Sequence, residues 1–378
     1  MIYLNNSATS YPKPESVIRE LSRSLALLPG GQFRSSGAGK DIFTDCRRNL
    51  GKLLSISDYE RIMFTSGSTE ALNWIISGLE LKRSQFVITV TEHNSVLRVV
   101  YNLDTGEEPV VIGCDKYGFI SPDKFDNDIT KALQEGRDLK ACVVNHCSNV
   151  TGAIQPVKEL AKIAKKHGLL FFIDISQSAG CIPVDVDGWD VDGIAFTGHK
   201  SLMGPQGTGG FYVKQDIQLK PLMYGGTGRD SSVIEYSEGK TYEYEVGTQN
   251  SCGIYGLNAG VLEVLNRGVS SIMKHEKEQT DYIVSRLLQL ENVTVYRQQT
   301  GEYGPVVSFN INGFKPSDIS YILQNVYEII TRAGLHCAPL IHKWIGCDDG
   351  TIRVSPGIFT TIEEVDELIK AVTDIVNN

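Results

Sequence analysis

Seven short apolar runs punctuate the first 213 residues: RIMFTS, QFVITV, EPVVIG, ACVVNHC, LLFFIDI, DGIAFTG and GGFYV. Bounded apolar runs of this length read as strands buried on both faces. Amphipathic segments lie between them. In VKELAKIAKKHG, from Val157, the apolar spacing is helical and Gly168 is the stop signal. Strands alternating with helices predict a mainly parallel α/β sheet covered by helices on both faces. After about Gly253 the texture changes. A long helical stretch, roughly Ile254 to Gln289, leads into NVTVYR and GPVVSFNI. A helix near Pro316 to Gln324 and a closing helix TIEEVDELIKAVTDIV follow, which predicts a smaller α+β domain.

Composition narrows the class. A chain of 378 residues is long enough for two or three domains, and 41% apolar with 21% charged residues is a globular balance. Thirty-six Lys and Arg against 45 Asp and Glu leave a net charge of −9, which argues against nucleic acid and anionic membranes as partners. There is no basic leader followed by an apolar stretch, and no run of 18 apolar residues. The eight cysteines form no C-x-x-C pair and match neither a zinc ribbon nor a secreted disulfide framework, so no metal site is expected. Reduced thiols and a cytoplasmic location follow from that usage.

Five stretches carry chemistry. In FTGHKSLMGPQGTGGFYV a strand is expected to end at Phe196, and Lys200 follows Thr197, Gly198 and His199. A lysine held at such a turn loses solvation and can attack a carbonyl as the free amine, while Thr197 and His199 can donate to a phosphate. In FFIDISQSAG, Asp174 ends an apolar strand, where open α/β sheets place ligands. Asp174 and Lys200 are 26 residues apart with one strand between them, so an acid and an amine meet in one crevice. That pair matches a pyridoxal-phosphate site, a Schiff-base lysine with an aspartate on the pyridinium nitrogen. In FTSGSTEALNWII, Ser68 and Thr69 open a helix and offer an anion cup, with neither a Walker loop nor a GxGxxG fingerprint. His93, in TEHNSVLRVV, sits at another strand end and can stack on a ring and shuttle protons. In ITRAGLHCAPLIHKWIG, Cys337 lies in a loop where His or Arg neighbours raise the thiolate fraction, and Arg353 beyond it can clamp a carboxylate. Taken singly, each stretch also has a plain structural meaning. These are a solvated lysine, a helix cap, an exposed histidine, an inert cysteine and a surface-paired arginine.

In this order, the five stretches resemble the fold-type I pyridoxal-phosphate enzymes, within them the aminotransferase class V group, and most closely the cysteine desulfurases and selenocysteine lyases. The likeness runs from YLNNSATS, similar to YLDNAATT, through TGHK, SNVTG and EYEVGTQN to the Arg353 region. It implies a large cofactor-binding domain, residues 13–253, on a mainly parallel seven-stranded sheet. Residues 1–12 and 254–378 would form the small domain with the cysteine loop. By the same likeness Lys200 would carry pyridoxal 5'-phosphate, Asp174 would pair with its ring nitrogen, Gln177 with its phenolic oxygen, and His93 would stack on the ring. Ser68, Thr69, Thr197 and His199 would hold the phosphate, and Thr248 would reach the phosphate of the other subunit of a homodimer. Asn149 and Arg353 would bind the carboxylate of L-cysteine or selenocysteine. RAGLHCAP resembles RTGHHCA, which makes Cys337 the persulfide-forming nucleophile that passes sulfur to an acceptor protein. The resemblance also leaves room for a selenocysteine lyase, another class V aminotransferase or C–S β-lyase, or a sulfur-relay scaffold without catalysis. Departures are NNSATS for DNAAT, Glu243 in place of an arginine, and Leu335 in place of the first His of HHC.

Overall fold

A computed structural model describes residues 1–27, 41–228, 244–377 and the single positions 232 and 234. The chain enters on a two-residue strand, β1 (Ile2–Tyr3). The seven apolar runs then become β2 (Ile62–Thr65), β3 (Phe86–Thr89), β4 (Val110–Ile112), β5 (Ala141–Asn145), β6 (Leu170–Asp174), β7 (Gly193–Thr197) and β8 (Gly209–Val213). They form one sheet in the order β2-β8-β7-β6-β5-β3-β4. Neighbours from β4 through β7 are parallel, and β8 is antiparallel to both β7 and β2.

Alternate residues of each strand face opposite sides. Val144, Ile173, Ile194 and Phe196 pack with helices Ile42–Leu54, Pro122–Gln134, Val157–Lys166 and Ser251–Arg267. Val143, Phe172, Ala195 and Phe211 pack with helices Ser68–Gly78 and Asn94–Tyr101. Both faces are therefore buried, which is why these strands carry no polar alternation.

A second sheet has the order β12-β13-β10-β9, from β9 (Val293–Val295), β10 (Val307–Ile311), β12 (Arg332–Gly334) and β13 (Thr351–Val354). The short strand β11 (Ile329–Ile330) pairs in parallel with β1 and draws the N-terminus to this unit. Its core collects Leu4, Ile283, Leu287, Phe309, Leu323, Ile352, Leu368 and Val372.

The long helical stretch expected from about 254 to 289 consists of two helices, Ser251–Arg267 and Val269–Leu287. Gly268 separates them at φ +80°, a conformation that glycine adopts without a Cβ clash. Ile254, Leu257, Val261 and Val264 of the first helix, and Ile272 of the second, pack into the main-sheet core. The break expected after residue 253 therefore precedes a helix that packs with the main sheet. After Leu4, the next buried member of the second core along the chain is Ile283.

Strand order reverses around β3, which lies between β4 and β5. Such a switch opens a crevice at the carboxyl ends of the strands. β3, β5, β6 and β7 all deliver their following residues there.

Candidate active site

β6 ends on Asp174, whose Cα partners are Asn145 of β5 and Ala195 of β7. β7 runs through Thr197, one residue beyond the expected end, and Gly198 and His199 then lead to Lys200. A cleft with about 350 Å³ of empty space is lined by Ser68, His93, Asn149, Asp174, Gln177 and Lys200, together with Ser95, Asn145, Cys147 and Ser176.

Charge inside the cleft is set by burial first. Asp174 is 6% exposed, and burial raises its carboxyl, opposed by hydrogen bonds from Ser176 and by the Lys200 charge. Ser176 N–H donates to Asp174 Oδ1 at 2.9 Å and the Ser176 hydroxyl donates to the same oxygen. Part of the Lys200 surface opens to the cleft, but its ammonium is poorly hydrated. Burial brings it down to about 8, against the pull of Asp174 and with the push of Arg353 and Arg332.

The lysine turn is clamped by the N-terminal stretch. The His199 carbonyl accepts from Ser10 N–H at 3.0 Å, Lys13 Nζ at 2.8 Å and Thr9 Oγ1 at 3.1 Å. Ser10 Oγ also donates to the Lys200 carbonyl at 2.9 Å. His199 Nδ1 is buried without a hydrogen-bond partner, and burial lowers that ring to about 4.

The anion cup forms where β2 meets the helix starting at Ser68. Gly67 is the N-cap and supplies no side-chain bond, so the first helical N–H groups are not capped by it. Ser66 instead turns back, its N–H and hydroxyl donating to Glu70 Oε2 at 2.8 and 2.6 Å. A Cβ on Gly209 would lie 2.6 Å from Gly67 Cα, so only glycine lets β8 approach this turn. Thr197 is buried at 3% exposure behind it, and Thr69 is exposed. Thr69, Thr197 and His199 do not line the cleft itself.

His93 caps helix Asn94–Tyr101. Its Nδ1 accepts from Ser95 N–H at 3.0 Å and lies 2.8 Å from Ser95 Oγ. The neutral ring therefore carries its proton on Nε2. Burial, followed by Lys200 and the nearby arginines, holds the ring neutral by lowering it to about 3.

Arg353 on β13 is 1% exposed. It donates from Nη1 to the Asn149 carbonyl at 2.9 Å and from Nη2 to Asn5 Oδ1 at 3.3 Å. Burial lowers it to about 9. Cys337 lies on a turn between β12 and helix Pro339–Trp344, partly exposed, with both His336 and Cys337 at positive φ. Asn149 Nδ2 donates to the His336 carbonyl at 2.7 Å and Asn94 N–H donates to the Cys337 carbonyl at 2.6 Å. The cysteine turn is thus tied to the segments after β5 and β3, through Asn149 and through Asn94 next to His93. None of the eight cysteines is in a disulfide.

Thr248 stands apart. It lines a different cleft of about 750 Å³ with Ser66, Glu70 and Asn250. Glu243 lies outside the described residues.

Sequence reasoning passed over Ser176, Ser95, Asn5 and Arg332. Asp174-x-Ser176 is the local signal of a side-chain turn and was available. Arg332 had only its place five residues before Cys337, because its neighbours are set by strand pairing. No helix among the described residues is long and apolar enough to cross a membrane.

Comparison with known proteins adds the family. The profile of the family described as Aminotransferase class-V matches residues 2–368. A probable cysteine desulfurase of Methanothermobacter thermautotrophicus is 30% identical, covering 99% of this chain and 94% of that protein. One from Halalkalibacterium halodurans is 32% identical over 98% and 92%. The apo structure of a cysteine desulfurase from Thermococcus onnurineus superposes with a TM-score of 0.90 at 29% identity, covering 100% of this chain and 94% of that one. With strand order, cleft and matched span in agreement, the chain belongs to the aminotransferase class-V family.

Proposed function

We propose that this chain is a pyridoxal 5'-phosphate-dependent cysteine desulfurase, which converts L-cysteine to L-alanine and keeps the sulfur on Cys337 as a persulfide. The observation that carries the reading is one cleft holding Lys200, Asp174 and His93, with the Cys337 turn tethered to Asn149 of the same cleft.

The residues fit the cofactor. His199 Nδ1 is a buried polar atom without a partner, and the helix start at Ser68 offers N–H groups that no side chain of the Gly67 cap takes up. Both suit a phosphate, with Thr69 and Thr197 as further donors. Asp174 suits a protonated ring nitrogen, Gln177 the phenolic oxygen, and His93 the ring face. Once bound through Lys200, the cofactor supplies an electron sink for the pair left at the substrate Cα.

The chain's own groups do the rest. Arg353 and Asn149 seat the substrate carboxylate. Lys200, at about 8, holds a usable fraction of free amine near neutral pH and takes the α-proton. His93 donates from Nε2 toward the substrate sulfur. The Cys337 thiolate attacks that sulfur. An S–S bond forms, the Cβ–S bond breaks with its pair left on carbon, and protonation of that carbon gives alanine. A homodimer, in which Thr248 reaches the partner's phosphate, and a cytoplasmic setting belong to the same proposal.

The test is mass spectrometry of the purified protein incubated with L-cysteine. Sulfur added to Cys337, with free alanine, is expected. Lys200→Ala should lose the visible absorbance of the bound cofactor, and Cys337→Ser should keep it but form no persulfide. Full cysteine turnover by Cys337→Ser would refute the nucleophile, and pyruvate with ammonia would indicate β-elimination instead.

A further inference from the structure

We infer that Arg332 is the residue that holds Cys337 as the thiolate, forming with Arg353 a two-arginine seat for two separate anions. This inference rests on the assignment of Cys337 as nucleophile.

β12 and β13 pair so that Arg332 stands directly opposite Arg353. Like charges in direct cross-strand register repel. Neither arginine is in an ion pair among the described residues. Arg353 is buried, its two hydrogen bonds go to neutral oxygens, and its Nε has no partner. Two unneutralised cations kept side by side call for anions to offset them.

The two cations have different targets. Arg353 points through its Nη atoms toward Asn149 and Asn5, in the region of the substrate carboxylate. Arg332 Nη2 is 3.5 Å from Cys337 Sγ, within reach of a charge-assisted N–H···S bond. The backbone of the turn is held by other bonds. Asn94 N–H and Asn149 Nδ2 fix the carbonyls of residues 337 and 336, and Ala338 N–H closes the turn on the Leu335 carbonyl at 2.8 Å. These bonds hold the turn that carries the thiol, and Arg332 supplies its counter-charge. When Cys337 S⁻ displaces the Cβ–S bond, negative charge leaves the attacking sulfur and returns on the terminal sulfur of the persulfide after its proton is lost. Arg332 serves the first state and remains within reach of the second.

The experiment measures alkylation of Cys337 by iodoacetamide, a neutral reagent, on the holoenzyme without substrate, from pH 5.5 to 10. Peptide mass analysis separates Cys337 from the partly exposed Cys252. In Arg332→Gln the rate at pH 7 should fall about tenfold and the half-maximal rate should move to higher pH. Arg332→Lys should keep most of the wild-type profile, which a purely shape-filling role would not predict. An unchanged profile in Arg332→Gln overturns the inference, as does a loss in Arg332→Lys equal to that in Arg332→Gln. If the profile shifts as expected while wild type forms no persulfide from L-cysteine, Arg332 holds the thiolate and the desulfurase reading fails by itself.

Discussion

Replacing Asp174 by asparagine keeps the side chain's shape and removes the larger of the charges that oppose the fall in Lys200 basicity. With Lys200 at about 8, roughly a quarter of it is free amine at pH 7.5, against about one in a thousand for an ordinary lysine at 10.5. The fold therefore raises the reactive fraction about two hundredfold at that pH. Burial is the main cause, Arg353 and Arg332 add to it, and Asp174 pulls the other way. Asp174→Asn must then lower Lys200 further. Because the free fraction cannot exceed one, the gain at pH 7.5 is bounded at about fourfold. The assay is the rate at which cofactor-free protein develops visible absorbance with pyridoxal, which has no phosphate, between pH 6 and 10. Wild type should level off near pH 8 and Asp174→Asn at lower pH. The final pyridoxal complex of the variant should be weaker, since its ring nitrogen lacks a carboxylate. A wild-type rate still climbing tenfold per unit through pH 9.5, or an inflection moved upward in Asp174→Asn, refutes the electrostatic account.

Other substitutions test the framework. Gly209→Ala places a Cβ 2.6 Å from Gly67 Cα and 2.7 Å from the Phe196 carbonyl, both backbone atoms. It should cost about 1–3 kcal/mol in denaturant melts and loosen phosphate retention, and unchanged values would mean the two turns can part freely. Glu276 is buried with Oε2 unpartnered, and burial lifts its carboxyl from 4.5 to about 8. The folded state then binds more protons than the unfolded one across that window, so stability falls as pH rises through it. Glu276→Gln should match wild type near pH 4.5 and melt about 2–5 °C higher at pH 8.5, and equal melting at both values would contradict the burial argument. Asn149→Ala removes the donor to the His336 carbonyl. Amide exchange at residues 335–338 should quicken and KM for L-cysteine should rise, whereas unchanged exchange would show that the turn stands without it.

Local sequence determined the strands and the chemistry at their ends. Residues buried on both faces must be apolar in succession, so runs such as LLFFIDI are readable without neighbours. Asp174, Lys200 and His93 follow such runs directly, and strand ends on one side of a parallel sheet share a crevice whatever the loops do. Tertiary structure decided what depends on pairing between distant segments. The clamp on the His199 carbonyl comes from Thr9, Ser10 and Lys13, nearly two hundred positions away, and nothing in YPKP announces it. The long helical stretch breaks at Gly268, and the second helix starts on the main-sheet core through Ile272 and ends on the second core through Ile283, Val284 and Leu287. Arg332 meets Arg353 and Cys337 only through the β12–β13 register, which the whole second unit sets by burying its apolar face. Periodicity is written residue by residue, whereas register is settled by which surfaces the folded chain can bury together.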